Sequence, residues 1–293
     1  MSSGGSLINL GDISKPATVL IERISDAVGG IAKPWQIKRV AKAEADADLI
    51  RAQTRIEISE AEERALVRMV REEGKKQENI ESISSKAIPF LSEDAKPEEM
   101  ESDWITQFFD RCRLVSDPQM QELWSQILAG EANSPGHFSK RTIDLVSTLD
   151  KKDAASFTKL CTFVFEFNDL NPIIYDIDSK IYTDQSINFL QLTHLDSIGL
   201  ISFNNLTEFE RTNFNKYTYI HYYDCPLCVE FPNDSGNRIN IGKVLLTEMG
   251  KEIATICGSI ASSEFLLFVI DQWIRSGLII STPISSKSAW IKL

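Results

Sequence analysis

Long apolar runs are missing from this 293-residue chain, whose longest stretches from Phe265 to Ile270. Six residues fall far short of the roughly 20 that a spanning helix needs, so no membrane-spanning helix is expected. The opening Met-Ser-Ser-Gly-Gly-Ser has no basic stretch before an apolar core, so no secretory signal is expected either. Cysteine is sparse and odd in number, five in all, which suits a reducing compartment better than a disulfide framework. The expected location is the cytoplasm. Positive charge is also short, with 31 basic against 42 acidic side chains and a net charge of −11. That balance argues against a protein that coats duplex DNA by neutralising phosphates. Only three histidines are present, and no Gly-x-Ser-x-Gly elbow accompanies them, so nucleophilic catalysis has little support. Neither a Gly-x-x-x-x-Gly-Lys-Ser/Thr loop nor a Gly-x-Gly-x-x-Gly run occurs, which removes the familiar phosphate-cradling sites. No cofactor is expected, and the chain does not read as an enzyme.

What is present is helical pattern. In residues 1–33, Ser14 can cap a helix, Pro16 suits its first turn and Gly29-Gly30 can end it. Ala17, Leu20, Ile21, Ile24, Ala27 and Val28 share one face. This amphipathic helix must bury its face in a core, a partner or a membrane interface, and Leu20, Ile21, Ile24 and Val28 are the candidate contact residues. Contact with the inner membrane would be peripheral, and the mixed charge of the polar face makes a protein surface the better fit. From residue 34 to about 90 the chain turns to Ala, Glu, Asp, Lys, Arg and Gln. The stretch Trp35 to about Lys76 predicts a long solvated helix, with helical charge pairs Glu60–Arg64, Arg68–Glu72 and Glu72–Lys76. Its apolar stripe is thin and departs from a clean coiled-coil heptad. A helix this long with so little to bury finds another copy or another domain to lie on, so a homo-oligomer is expected. Pro89, Ser92-Glu93-Asp94 and Pro97-Glu98-Glu99 read as a linker.

Residues 97–149 predict a helical unit. Trp104, Ile105, Phe108, Phe109 and Cys112 make one broad face. Asp117-Pro118 caps a second helix through Met120, Leu123, Trp124, Ile127 and Leu128 that stops near Gly130. The two form an antiparallel hairpin. Ser134-Pro135-Gly136 is a turn, and Ser139 can cap a third helix burying Ile143 and Val146. Glu131 ends an apolar helix where the helix dipole disfavours negative charge, which predicts a salt bridge or hydrogen bond to Lys140 or Arg141. The acids Glu98, Glu99, Glu101 and Asp103 read as a solvated helix start.

Residues 150–293 are mixed. A helix carries Phe157, Leu160, Cys161, Val164 and Phe165 on one face, and a second carries Ile187, Leu190, His194, Leu195 and Ile198. Gly199-Leu200-Ile201 turns out of it. Phe214 to Tyr223 and Leu227, Val229 and Phe231 alternate like strands. Val244-Leu245-Leu246 is a short strand, and Thr247 caps the next helix. A last helix, Glu264 to Ser276, precedes the strand-like Leu278-Ile279-Ile280. This order fits a winged-helix-like domain. The fold class is therefore mainly α with an α+β C-terminal domain.

The sharpest metal candidates are His221, Cys225 and Cys228. Imidazole and thiolate at H-x3-C-x2-C spacing are zinc-ligand chemistry, and Cys257 or His194 would have to supply a fourth ligand. The alternative is a strand followed by a Pro226 turn with two ordinary thiols, and a redox C-x-x-C lacks its usual strand-to-helix setting.

Leu123-Trp124-Ser125-Gln126-Ile127-Leu128-Ala129-Gly130-Glu131, followed by Pro135-Gly136 and Phe138-Ser139-Lys140-Arg141-Thr142, resembles the signature of an uncharacterised bacterial domain family of unknown function. Gly11 to Ala17 and Lys38 to Ala45 resemble the start of the same family. Within the signature, Leu123, Trp124, Leu128, Gly130, Glu131, Pro135, Phe138 and Arg141 read as structural. A weaker similarity extends to abortive-infection alpha proteins, in which a leucine-rich helix precedes a histidine-containing turn. The turn here runs Pro135-Gly136-His137-Phe138 in place of the His-Pro order. The resemblance implies a role in bacterial defence against phage.

These readings combine into a non-enzymatic defence-associated protein acting by oligomerisation and by partner or membrane-surface binding. The alternatives are a winged-helix regulator that binds nucleic acid or protein, and a zinc-dependent enzyme. Residues 151–293 hold 12 basic and 16 acidic side chains, so nucleic acid is the less favoured partner.

Overall fold

In the computed structural model, which describes residues 14–28 and 60–282, tertiary contacts divide the chain into units of residues 1–147 and 148–293. The fold is mainly helical, and the strands lie in the C-terminal unit. Among the described residues no helix is long and apolar enough to cross a membrane.

The N-terminal unit opens with α1 (Lys15–Val28). Ser14 caps it through the Ala17 amide at 3.4 Å. Ala17, Leu20 and Ile24 are buried, and the helix packs on the 3-10 turn Pro97–Glu99 and on α3 (Ser102–Cys112). The Arg23 guanidinium donates to the Met100 carbonyl. The apolar face is thus buried in the chain's own core, and Leu20 and Ile24 are not free for lipid or a partner. Ile21 and Val28 are half-buried. The proposed ending at Gly29-Gly30 and the arm over 35–59 lie outside the described residues.

α2 (Glu60–Ala87) continues past the expected end at Lys76. Its first half carries Glu60–Arg64 at 3.6 Å and Arg68–Glu72 at 3.5 Å, whereas Lys76 pairs with Glu73 at 2.6 Å. Its second half buries Ile80, Ile83 and Ala87 against α4 (Pro118–Asn133). Asn79 and Gln121 bond across this contact at 3.2 Å, while Asn79 donates to the Arg113 carbonyl and Gln121 to that of Val115. The stretch expected to be a linker is instead docked. Asn133 accepts from the Ser92 amide and donates to the Phe90 carbonyl, both at 2.9 Å, and the Lys96 amide donates to the Ala132 carbonyl at 2.8 Å. Asp117 caps α4 through the Gln119 and Met120 amides at 2.9 and 3.1 Å. Trp104, Phe108 and Trp124 meet as an aromatic cluster with ring centroids 5.1 Å apart. Each contributes on the order of 2 kcal/mol or more through burial. α5 (Lys140–Thr148) closes the unit with Ile143 and Val146 buried.

The C-terminal unit begins with α6 (Lys151–Cys161), where Asp153 accepts from the Asp150 amide at 3.0 Å. The helix ends before Val164 and Phe165, which belong to β1 (Val164–Phe167), paired antiparallel with β2 (Asp169–Pro172). Phe163, Phe165 and Phe167 repeat with period two, and that strand signal outweighs the helical spacing of the preceding residues. After the short α7 (Lys180–Thr183) comes α8 (Phe189–Ser197). β3 (Ile201–Phe203) then pairs with β8 (Val244–Leu246). Between them lie β4 (Phe209–Phe214), β5 (Tyr217–Tyr222), β6 (Cys225–Glu230) and β7 (Asn237–Gly242). The expected strand over 214–223 is broken into β4 and β5.

After α9 (Glu248–Ala254) and α10 (Ser263–Arg275), β9 (Ile279–Ser281) completes a five-stranded antiparallel sheet of order β2-β1-β5-β6-β9, while β4 pairs with β7 in a separate two-stranded sheet. The β5–β6 hairpin therefore joins β1, and does not extend from β3 as a wing would. Phe265 of α10 meets Phe163 edge-on at 4.8 Å and packs at steep angles on Phe165 and Tyr222 at 5.9 Å, covering the sheet's inner face. The segment after β2 crosses Gly242, whose φ of +86° suits glycine. A Cβ there would lie 1.9 Å from the Ile174 carbonyl oxygen.

Candidate functional site

The family-like signature folds into a structural knot. Glu131 is almost fully buried, and its carboxylate accepts from the Gly136 amide at 2.7 Å and from the Phe138 amide at 2.9 Å. The expected bond to Lys140 or Arg141 is replaced by these two backbone donors. Lys140 pairs with Glu101 at 3.5 Å, and Arg141 is exposed. Burial pushes the Glu131 carboxyl above the usual carboxylate range, while the two amides partly offset that shift. Trp104 donates its indole N–H to the Phe138 carbonyl at 2.7 Å. The Phe138 ring lies directly over Gly130, where a Cβ would sit 2.5 Å from Cε2. Pro135-Gly136 makes the turn, with Gly136 at φ +86°. Trp124 and Leu128 are buried, whereas Leu123 is half-buried. His137 is exposed, its ring edge-on to Phe138 at 4.7 Å. One helix end, one turn and one helix start are thus held by glycine, glutamate and phenylalanine acting together, which is an architectural role.

The zinc candidates do not converge. In the β5–β6 register His221 faces Pro226 and Tyr219 faces Cys228, while Cys225 faces Tyr222. His221 and Cys228 therefore lie on the outer face of the sheet, and Cys225 lies on the other with Tyr222. Cys225 and Cys228 sit within a strand, not in a Pro226 turn. His194 Nε2 instead lies 2.7 Å from Asp153 Oδ1, and Cys257 neighbours Cys161. Among the described residues no group of three or more His, Cys, Asp or Glu side chains is placed to hold a metal ion.

A cleft of about 620 Å3 opens beside the β4–β7 pair, walled by Phe231, Asn233, Arg238 and Asn240 on one side and by Gln272 and Trp273 of α10 on the other. Tyr175 also lines it. Its hydroxyl accepts from the Trp273 indole at 3.0 Å, and burial pushes its pKa further up, so the phenol stays neutral. Asn237 is fully engaged, donating to the Phe214 and Asn233 carbonyls at 3.1 and 2.7 Å. Arg238 pairs with Glu210 at 3.3 Å at the rim. An aromatic wall with a neutral phenol and amides suits binding of a part-polar group. Sequence reasoning missed this cleft, because its walls come from four separate segments and only the Arg238-Ile239-Asn240-Ile241 alternation signalled one of them.

No curated protein and no solved structure matches the chain. A family model does match, over residues 63–269, and it takes in the Leu123 to Thr142 signature but not the N-terminal block before it. That match covers more than half of the sequence, and the chain belongs to the family described as Protein of unknown function (DUF2806).

Proposed function

We propose that this protein is non-enzymatic, that it assembles with further copies of itself through the charged arm, and that its C-terminal unit recognises a second protein. One observation carries the assembly. The second half of α2 is locked into the N-terminal unit, but the first half presents Leu66, Met69 and Val70 at helical spacing, with Met69 55% exposed and the other two half-buried. A ridge at i, i+3 and i+4 is what a second helix packs on. Flanking charges of both signs, among them Arg64, Arg68, Arg71 and Glu72, suit a contact between identical helices. Burial of Leu20 and Ile24 favours assembly over membrane docking.

For the C-terminal unit, a protein partner is favoured over nucleic acid. The acidic excess stands against phosphate binding, and α8 exposes Phe189 and Leu190 where a groove-reading helix would carry basic or polar groups. The resemblance to abortive-infection alpha proteins supports bacterial defence against phage, in the cytoplasm, as the setting. Light scattering on the full chain and on Leu66→Glu/Met69→Glu tests the reading. We expect a multimer that falls to a single copy in the variant, no flotation of either with anionic liposomes, and loss of any protection against phage with loss of assembly. A monomeric wild-type chain at micromolar concentration would overturn the reading.

A further inference from the structure

Two cysteines far apart in sequence meet in the C-terminal unit. Cys161 ends α6 and is buried, while Cys257 follows α9 and is half-buried. The two thiols are close enough to perturb each other's titration. Two further contacts hold the pair together. Thr158, one turn before Cys161 on α6, donates its hydroxyl to the Cys257 carbonyl at 3.0 Å. The Tyr223 hydroxyl lies 3.1 Å from the Cys161 carbonyl and 2.7 Å from Ser259 Oγ.

Tyr223 reaches this place from the β5–β6 turn with a φ of +51°, a conformation a bulky residue holds only where its surroundings enforce it. A recess of about 160 Å3 lies next to the Tyr223–Ser259 contact, lined by Tyr223, Cys225 and Ser259 among others, with neither Cys161 nor Cys257 in its wall. It is roomy enough for a molecule of water or peroxide size.

We propose that Cys161 and Cys257 form an oxidation site at which a hydroperoxide converts the two thiols into an intramolecular disulfide. Cys257 is the attacking sulfur. Hydrogen bonding from the Cys161 thiol holds the Cys257 pKa at about 7 against the opposing effect of burial, and Ser259 contributes in the same direction. Burial pushes the Cys161 thiol well above its ordinary value, which suits a resolving thiol that stays protonated until its partner is oxidised.

The Cys257 thiolate attacks one peroxide oxygen, the O–O bond breaks, and the departing hydroxide takes up a proton to leave as water. Cys257 becomes a sulfenic acid, oxidised by two electrons. The Cys161 sulfur then attacks the Cys257 sulfur, the S–O bond breaks, and hydroxide leaves with the Cys161 proton as a second water. Two thiols and one hydrogen peroxide thus give one disulfide and two waters.

The full chain, reduced and freed of reductant, is treated with one equivalent of hydrogen peroxide and digested with trypsin without reduction. Cleavage places Cys161 in peptide 160–180, Cys257 in 252–275, and both Cys225 and Cys228 in 217–238, so each linkage has its own mass. The expected result is a fall from five free thiols to three, with peptide 160–180 linked to 252–275. Cys161→Ser should lose the linkage and leave Cys257 trappable by a 1,3-dione as the sulfenic acid. Cys257→Ser should slow thiol loss at least tenfold. Both variants should keep the wild-type circular dichroism spectrum. A Cys225–Cys228 linkage, a linkage between chains, or an unchanged thiol count in the wild type would overturn the proposal.

Discussion

Replacing Gly130 by alanine tests the knot at its tightest point. In an open helix interior the swap stabilises by about 1 kcal/mol, because glycine loses more backbone freedom on folding. At Gly130 the new Cβ would stand 2.5 Å from Phe138 Cε2 and 3.3 Å from Cζ, well inside contact distance. The ring is only 1% exposed and has no room to swing away. Its backbone is tied on both sides, by the Glu131 carboxylate at the amide and by the Trp104 indole at the carbonyl. Relieving the overlap means shifting Phe138 and stretching both bonds. Overpacking of this kind costs about 1–3 kcal/mol, and a contact as short as 2.5 Å calls for the upper part of that range, so Gly130→Ala should destabilise by up to about 2 kcal/mol net. The control is Gly74→Ala, where a Cβ meets nothing within 4 Å and stability should hold or rise by up to about 1 kcal/mol. Urea unfolding followed by tryptophan fluorescence reads both, since Trp104 and Trp124 lie in the unit concerned. A Gly130→Ala protein as stable as the wild type would refute the reasoning.

Glu131→Ala should cost about 3 kcal/mol, because the Gly136 and Phe138 amides both lose their acceptor; urea titration measures it. The Glu131 carboxyl is raised above 4.5 in the folded state, so its contribution is fully present below that value and is lost as pH rises through the folded value. The stability of the wild type relative to Glu131→Gln should therefore grow on going from pH 7 towards pH 4.5, and a flat difference would contradict the shift. Asp117→Ala removes the cap of α4 and should cost about 1 kcal/mol by thermal melting. Gly242→Ala forces a Cβ against the Ile174 carbonyl at a positive φ and should cost more than 3 kcal/mol, or abolish soluble expression of the C-terminal unit.

Helices with caps and broad apolar faces were legible in the sequence. Asp117-Pro118 and Thr247 cap as their side-chain chemistry requires, and the Trp104 to Cys112 face is buried as its spacing predicts. Readings failed where a local pattern competed with a distant partner. Val164 and Phe165 fit the helical face of Phe157, yet pairing with β2 takes them into a strand. The segment around Pro89 and Pro97 looks like a linker by composition, but Asn133 and Ala132 pin it through backbone groups that no side-chain pattern reveals. Glu131 stood out as an acid at a helix end where the dipole disfavours it, but its burial was not foreseen and its partner was misread, because amides of a turn leave no mark in the sequence. The H-x3-C-x2-C spacing marks a strand and not a cluster, since strand alternation sends its two cysteines to opposite faces. The Cys161–Cys257 pair had no spacing to betray it.

Sedimentation equilibrium of the full chain over a range of concentrations tests the central claim, self-association through α2, most directly. The account predicts a wild-type mass above 33.0 kDa that rises with concentration, and a Leu66→Glu/Met69→Glu variant that stays at the single-chain mass. A wild type that sediments at the single-chain mass throughout, or a variant that associates as strongly as the wild type, would contradict it.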